Sequence, residues 1–282
     1  MTEQAQFDEQ VIEFSDKENL VGVLTTPTQN KASGPTLIII NSGALHRVGA
    51  CRSAVIIARA MAQSGFSTFR FDLHGIGDSG FGGSHSEDQM RGKPEITEAM
   101  NMLDTRNGSS EYVLHGLCSG ARDAFSAAIG DKRVVGISMI DGHAYRNIRF
   151  YLNKVPAFLL NPSKWLNFIL VRLPKSGKED TEQDNDEVME YQVWPDYPNK
   201  SVVQDGFSTL VARDVKMLVT YTGDWKDEYN YEGQFNDMYS RVNFGKQQLI
   251  LNYMPNANHV MTDPNDRAII INRLEELLVG LS

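Results

Sequence analysis

Residues 111–121 read Glu-Tyr-Val-Leu-His-Gly-Leu-Cys-Ser-Gly-Ala, a short apolar run that ends in Gly-x-Cys-x-Gly and continues into small, helix-forming residues. This pattern predicts a strand, a sharp turn and a helix. Side chains two positions before and after the centre of such a turn would collide with the strand or the helix, and glycine removes that collision. Cys118 then lies at the N-terminus of a helix, where free N–H groups and the helix dipole favour a thiolate. The stretch therefore has the form of a nucleophile elbow with cysteine at its centre.

The serine that follows the cysteine offers a second register for the same turn. With Ser119 at the centre, Leu117 and Ala121 would occupy the two positions that must be small, and leucine would clash. This steric argument favours Cys118 as the nucleophile. Ser119 is then predicted to act through its backbone N–H, as one donor to an oxyanion. The second cysteine, Cys51, lies in a predicted helix and is interpreted as a small apolar residue.

Composition places the chain among globular proteins. Its 282 residues, 41% hydrophobic and 22% charged, are enough for one α/β domain with an insertion. A formal net charge of −9 argues against a nucleic-acid partner. Two cysteines suggest no disulfide framework, and the acidic opening residues 1–9 do not form a secretory signal. The sequence thus predicts a reduced, cytoplasmic protein.

Strand and helix patterns alternate along the chain. Strands are predicted at residues 10–14, 20–25, 36–41, 66–71, 112–115, 134–140, 217–221 and 248–252, and helices at residues 51–64, 93–106, 121–129 and 268–278. The first two strands form an antiparallel hairpin, because a short polar segment separates them. The alternation that follows predicts the α/β class, with a mostly parallel central sheet covered by helices on both faces.

One segment differs in composition from the rest. Residues 145–214 are dense in large apolar and aromatic residues at first and carry an acidic polar stretch at 179–187. We interpret this segment as a helical cap inserted after a strand, and residues 1–144 together with 215–282 as the core. Long insertions in compact domains are often functional, so we expect the cap to cover the active site.

Two alternatives to a substrate-covering cap follow from the same composition. The segment could form a packed side domain without substrate contact. It could also form a helix on a membrane surface, but Pro156 and Pro162 interrupt the apolar run and argue against membrane contact.

The base that serves Cys118 should be a histidine. His259 lies between the last predicted strand and the last predicted helix, at the carboxyl end of a strand, where open α/β sheets place ligand chemistry. His115 lies inside the strand before the elbow and is expected to be a buried structural residue. His74 and His143 lie in predicted loops and stay open as alternatives, as does His85. The late position in the chain favours His259.

A carboxylate that orients this base is expected between the elbow and the histidine. Residues 216–224 end a predicted strand with a Gly-Asp step, which favours Asp224. Asp227 could take its place if the loop runs one turn further. Asp141 follows the preceding strand and is the third candidate, because an acid there would reach the same place. For Asp141 a role in capping a turn is equally open.

A second oxyanion donor is expected in the loop after the third predicted strand. The glycine there would let backbone amides approach a substrate oxygen closely, so the candidates are Ser42, Gly43 and Ala44. His46 and Arg47 follow in the same loop. They would either bind a substrate carboxylate or brace the loop.

No cofactor and no metal ion are expected. Gly75, Gly77 and Gly80 match the spacing of a dinucleotide-binding loop. However, Asp72 and Asp78 would confront a pyrophosphate, and no helical pattern follows promptly. The chain also lacks the helical His-x-x-x-His spacing of a zinc site.

These residues together resemble the α/β-hydrolase superfamily over nearly the full chain. The segment 72–79 looks like that family's turn after its fourth strand, and the order Cys118, Asp224, His259 matches its order of nucleophile, acid and base. Cysteine at the elbow is similar to dienelactone hydrolases.

A narrower resemblance is to hydrolases associated with bacterial exosortase systems. The segments that carry it are 41–43, 47–49, 70–72 and 116–121. The resemblance implies an α/β-hydrolase fold and a triad, and it implies little about the substrate.

The sequence therefore predicts hydrolysis of carboxylic esters or thioesters through a Cys-His-Asp triad and an acyl-enzyme thioester. The partner is a small acyl substrate with apolar bulk, since the predicted cap is apolar. Two alternatives stay open: an acyltransferase that uses the same triad, and a non-catalytic ligand-binding protein on a hydrolase scaffold.

Overall fold

A sheet of eight strands runs through the part of the chain that the computed structural model describes, which is residues 7–15, 19–29, 34–80, 92–108, 110–159 and 197–282. The strands are β1 (Phe7–Phe14), β2 (Leu20–Pro27), β3 (Thr36–Ile39), β4 (Thr68–Phe71), β5 (Tyr112–Leu117), β6 (Val134–Ile140), β7 (Lys216–Thr222) and β8 (Leu249–Met254). Their order across the sheet is β1-β2-β4-β3-β5-β6-β7-β8. The β1–β2 pair is antiparallel and the sheet is mostly parallel, as the sequence predicts. The β2–β4 pair is also antiparallel.

Helices cover both faces of the sheet. They are α1 (Ser53–Gln63), α2 (Gly92–Asn107), α3 (Ser119–Gly130), α4 (Ile148–Leu159), α5 (Lys200–Ala212), the short α6 (Gln234–Met238) and α7 (Pro264–Val279). Buried residues of α1 and α7 form one apolar core with one face of the sheet, and buried residues of α2, α3 and α5 form a second core on the other face. All four residues of β3 are buried, because helices cover both faces of the sheet there.

The elements predicted from the sequence are confirmed, with bounds that differ by a few residues. The largest physical difference is at the start of α1, where a short 3₁₀ turn, Ala50–Arg52, precedes the helix. Cys51 lies in this turn with φ 50° and is exposed. The interpretation of Cys51 as a packed helical residue is therefore wrong, because the chain enters α1 through left-handed backbone.

The segment predicted as a cap includes two described helices. α4 lies directly after the loop that follows β6. α5 buries Val203, Phe207 and Leu210 against the core, and the rings of Phe207 and Phe125 of α3 are 4.7 Å apart. This end of the segment is thus part of the central packing. The acidic stretch 179–187 lies outside the described residues.

Within the described ranges, no helix combines the length and the apolar character needed to cross a bilayer.

Candidate active site

The turn between β5 and α3 is as tight as the two glycines predict. Cys118 has φ 55° and ψ −115°, a conformation that few side-chain-bearing residues adopt and that costs of order 1–3 kcal/mol. A Cβ on Gly116 would lie 2.2 Å from the carbonyl carbon of Gly120, and a Cβ on Gly120 would lie 2.4 Å from the carbonyl oxygen of Asn41. The turn from β5 to α3 therefore requires glycine at position 116, and the packing of α3 against the residues after β3 requires glycine at position 120. The thiol lies at the N-terminus of α3.

The imidazole of His259 lies between this thiol and a carboxylate. His259 follows β8, in the loop that leads to α7. Its Nδ1 is 2.8 Å from Oδ2 of Asp141, and the ring also hydrogen-bonds the Cys118 side chain. Because an ionised carboxylate only accepts hydrogen bonds, Nδ1 carries a proton. The structure thus brings together the two residues predicted as nucleophile and base.

The carboxylate that contacts the ring belongs to Asp141. Asp141 follows β6, is buried, and has φ 49°. Its Oδ1 accepts the backbone N–H of Thr222 at 2.8 Å and its Oδ2 accepts the hydroxyl of the same threonine at 2.6 Å. Hydrogen bonds from the end of the neighbouring strand β7 therefore compensate the burial of this charge.

The sequence favours Asp224 as the carboxylate that bonds the imidazole, but in the structure Asp141 makes that contact. Oδ2 of Asp224 accepts the backbone N–H of His259 at 3.0 Å and so holds the main chain of the histidine. The cause is local: a Cβ on Gly223 would lie 2.0 Å from the carbonyl oxygen of Pro255, so the residues after β7 press against the loop that carries the histidine. Asp227 is engaged elsewhere, with Nζ of Lys154 at 2.8 Å.

Trp225 is a site residue that the sequence analysis missed. Its ring stacks on the imidazole of His259, with centroids 5.2 Å apart and planes 11° apart. Trp225 lies in the 3₁₀ turn Gly223–Asp227, next to Asp224. The same turn therefore holds the main chain of His259 and covers one face of its ring. Only the adjacency to the Gly-Asp step could have pointed to it in the sequence.

Gly43 is the predicted oxyanion residue whose N–H points toward the elbow. Gly43 has φ 54°, and its N–H donates to Oγ of Ser119 at 2.7 Å. The backbone N–H of Ser119 contributes to the lowered pKa of the Cys118 thiol. Ser42 uses its carbonyl to close a turn by accepting the N–H of Leu45. Ala44 is exposed at the tip of this turn.

A buried carboxylate holds the loop that carries Gly43. Asp72 is fully buried, and its Oδ1 accepts the backbone N–H of Arg47 at 2.5 Å and Nδ2 of Asn41 at 3.2 Å. The Arg47 guanidinium pairs with both Asp72 and Asp78. Of the two roles expected for His46 and Arg47, the contacts observed are those that brace the loop.

The side chains around Asp72 include three groups of the kinds that bind metal ions. Ligand atoms of His46, Asp72 and Asp78 lie within 4.8 Å of one another. The Arg47 guanidinium already bonds both carboxylates, so a cation would have to displace it. The glycine-rich turn packs against this cluster, since a Cβ on Gly77 would lie 2.3 Å from Oδ2 of Asp72.

The electrostatics of the site favour a charged pair. Burial raises the pKa of the Cys118 thiol, but the hydrogen bond and charge of His259, the charge of Arg122 and the N–H of Ser119 outweigh it and lower the pKa. Burial lowers the pKa of His259, yet Asp141 and Cys118 raise it to about 9. The opposite shifts favour proton transfer from the Cys118 thiol to the His259 imidazole.

Two other histidines are kept neutral by their surroundings. Burial lowers the pKa of His143 to about 3 and that of His115 to about 4. Nδ1 of His115 lies 2.9 Å from Oγ of Ser138 within the sheet, as expected of a structural residue. The backbone N–H of His74 donates to Glu95, and His85 lies outside the described residues.

Solved structures with the same architecture establish the fold. A hypothetical protein of Pseudomonas aeruginosa aligns over 100% of this chain and 96% of its own, with a TM-score of 0.64 and 14% identity. An esterase of Pyrococcus furiosus aligns over 98% and 92%, with a TM-score of 0.58 and 15% identity. A dienelactone hydrolase of Anabaena variabilis aligns over 98% and 99%, with a TM-score of 0.58 and 12% identity.

No protein-family model matches the sequence, and no curated protein matches it either. The strand order, the elbow and these structural neighbours together show that the chain has the α/β-hydrolase fold, as the sequence predicts.

Proposed function

We propose that the protein hydrolyses carboxylic esters or thioesters, with Cys118 as nucleophile, His259 as acid and base, and Asp141 as the carboxylate that orients the histidine. One observation carries the proposal: the imidazole of His259 bonds the Asp141 carboxylate on one side and the Cys118 thiol on the other. A nucleophile, a base and an orienting acid in hydrogen-bonded series are the requirement for nucleophilic acyl chemistry.

The proposed reaction has two steps, acylation of Cys118 and hydrolysis of the acyl-enzyme. The Cys118 sulfur attacks the carbonyl carbon, and the bond to the leaving group breaks as His259 gives its proton to the departing alcohol or thiol. Water then adds to the resulting thioester and loses a proton to His259. The carbon–sulfur bond breaks, and the carboxylic acid leaves as the thiolate is restored.

The thiol favours esters and thioesters over amides. A thiolate attacks readily, but it is also a good leaving group, so the tetrahedral intermediate returns to substrate when the competing leaving group is an amine. Alkoxide and thiolate leaving groups compete better. The elbow cysteine and the structural likeness to an esterase and a dienelactone hydrolase support this substrate class. The narrower resemblance to exosortase-associated hydrolases stays a prediction.

We also propose that the segment after β6 forms a cap that contacts the apolar part of the substrate. α4 exposes Ile148, Tyr151 and Leu152. Lys154 of the same helix pairs with Asp227, in the turn that carries Trp225. α4 therefore presents an apolar surface and is joined to the turn that covers His259.

The test is hydrolysis of a panel of p-nitrophenyl esters and acyl thioesters of increasing chain length. Wild-type protein should release p-nitrophenol or thiol, and Cys118→Ala should abolish the release. Cys51→Ala is the matched control, since Cys51 is exposed in the turn before α1, and it should retain activity. Full activity in Cys118→Ala would contradict the proposal. Products formed with added alcohol or thiol acceptors would separate hydrolysis from acyl transfer.

A further inference from the structure

The hydroxyl of Ser119 occupies an unexpected place beside the thiol. In a nucleophile elbow, the residue after the nucleophile contributes its backbone N–H to the oxyanion, and a loop amide contributes the second donor. Here the loop amide, that of Gly43, donates to Oγ of Ser119 at 2.7 Å. The Ser119 hydroxyl oxygen therefore occupies the position where an oxyanion would accept the N–H of Gly43, one of the donors predicted from the sequence.

This hydrogen bond fixes the direction of the hydroxyl. Oγ uses a lone pair to accept the N–H of Gly43, so its own proton points away from Gly43. The backbone N–H of the same serine is near enough to the Cys118 sulfur to lower the pKa of the thiol. Ser119 is half-buried at the first position of α3 and thus offers two donors, N–H and O–H, beside the nucleophile.

We infer that the Ser119 hydroxyl is itself a catalytic donor, which hydrogen-bonds the oxyanion while the N–H of Gly43 holds and polarises it. This inference rests on the proposed acyl chemistry. In it, Gly43 acts through Ser119, and the oxyanion takes one hydrogen bond from the Ser119 N–H and one from the Ser119 hydroxyl.

The alternative is that the hydroxyl blocks Gly43 and swings away when substrate binds. Swinging away would lose the hydrogen bond with Gly43, whereas donating from its present place keeps that bond and adds a charged one. Hydrogen bonds to an ionised acceptor are roughly twice as strong as neutral ones. A donor that is itself hydrogen-bonded is further polarised. Both effects favour the hydroxyl as a donor.

The experiment compares Ser119→Ala and Ser119→Thr with wild type in two reactions of Cys118. Acyl transfer from a p-nitrophenyl ester builds an oxyanion, and alkylation by iodoacetamide does not. Loss of one oxyanion donor costs up to about 10²–10³ in kcat. We expect Ser119→Ala to lower kcat roughly 10- to 100-fold with little change in KM, and Ser119→Thr to stay within a few fold of wild type. The alkylation rate constant should be the same in all three.

Three results would overturn the inference. An unchanged or higher kcat in Ser119→Ala would show that the hydroxyl blocks Gly43. An equal loss in Ser119→Thr would show that the hydroxyl is not the group that matters. A parallel loss of alkylation would place the effect on the thiol. Failure of the proposed function looks different, because wild type itself would then turn over no ester, and the inference would fall with it.

Discussion

Nδ1 of His259 lies 2.8 Å from Oδ2 of Asp141, while the backbone N–H of the same histidine donates to Asp224. Two aspartates from the ends of adjacent strands thus hold one histidine at different points. Asp141 fixes the ring and its protonated nitrogen, and Asp224 fixes the main chain that carries the ring.

The two aspartates should differ in their effect on catalysis. Asp141→Asn should lower kcat by roughly 10²- to 10⁴-fold, because an amide no longer favours the proton on Nδ1 or stabilises the imidazolium. Asp224→Asn should cost less than about tenfold, since its amide oxygen can still accept the backbone N–H of His259. Steady-state kinetics on one activated ester would make the comparison. A larger loss in Asp224→Asn would return the orienting role to Asp224.

The pH dependence should show the charged pair. His259, Arg122 and the N–H of Ser119 together lower the pKa of Cys118, so the thiolate forms at a lower pH than it does in an unperturbed cysteine. The pKa of His259 is about 9, so the proton for the leaving group is lost as the pH rises through that value. We expect kcat/KM to fall above about pH 9 while iodoacetamide alkylation stays constant there.

An alkylation rate that rises with the pKa of an unperturbed, solvent-exposed cysteine would contradict the lowered pKa of Cys118.

The indole of Trp225 should stabilise the imidazolium of His259. A cation over a tryptophan ring gains about 0.5–2 kcal/mol, which corresponds to at most about 1.5 pH units. Trp225→Leu should therefore lower the pKa of His259, and Trp225→Phe should lower it less, because the phenyl ring keeps part of the interaction. An NMR titration of the His259 ring protons would measure both shifts. Equal shifts in the two variants would show that the aromatic ring is not the cause.

The elbow glycines should be needed for folding as well as for chemistry. Gly116→Ala places its Cβ 2.2 Å from backbone of Gly120, which has no flexible end to move. Overpacking costs typically 1–3 kcal/mol and here should reach or exceed the upper end. Gly233→Ala is the matched control, because its Cβ would lie 3.8 Å from the Tyr231 ring, in ordinary contact. Thermal unfolding should show a lower midpoint for the first variant alone.

The fold and part of the site follow from local sequence signals. Gly116 is required by a collision with Gly120, four residues later, so this part of the turn can be predicted from local sequence, whereas Gly120 is required by its contact with Asn41 in the loop after β3. His259 is predicted from its place after the last strand, because parallel strands end at one edge of the sheet.

The choice between Asp141 and Asp224 depends on a non-local relationship. β6 and β7 are neighbours, with Ile140 opposite Thr220, so both aspartates reach His259. Asp141 has left-handed backbone, and its carboxylate contacts the ring of His259. Gly223 lies close to Pro255, and the carboxylate of the next residue, Asp224, contacts the main chain of His259. The contact between Ser119 and Gly43 is likewise set by packing, since 76 positions separate them in sequence.

Intact-mass spectrometry after rapid mixing with an acyl thioester shows whether Cys118 carries the acyl group. Wild type should gain the mass of one acyl group, the modified peptide should contain Cys118, and hydroxylamine should remove the group as expected of a thioester. Cys118→Ala should gain no mass under the same conditions. An acyl group found on Ser119, or acylation that persists in Cys118→Ala, would contradict the account.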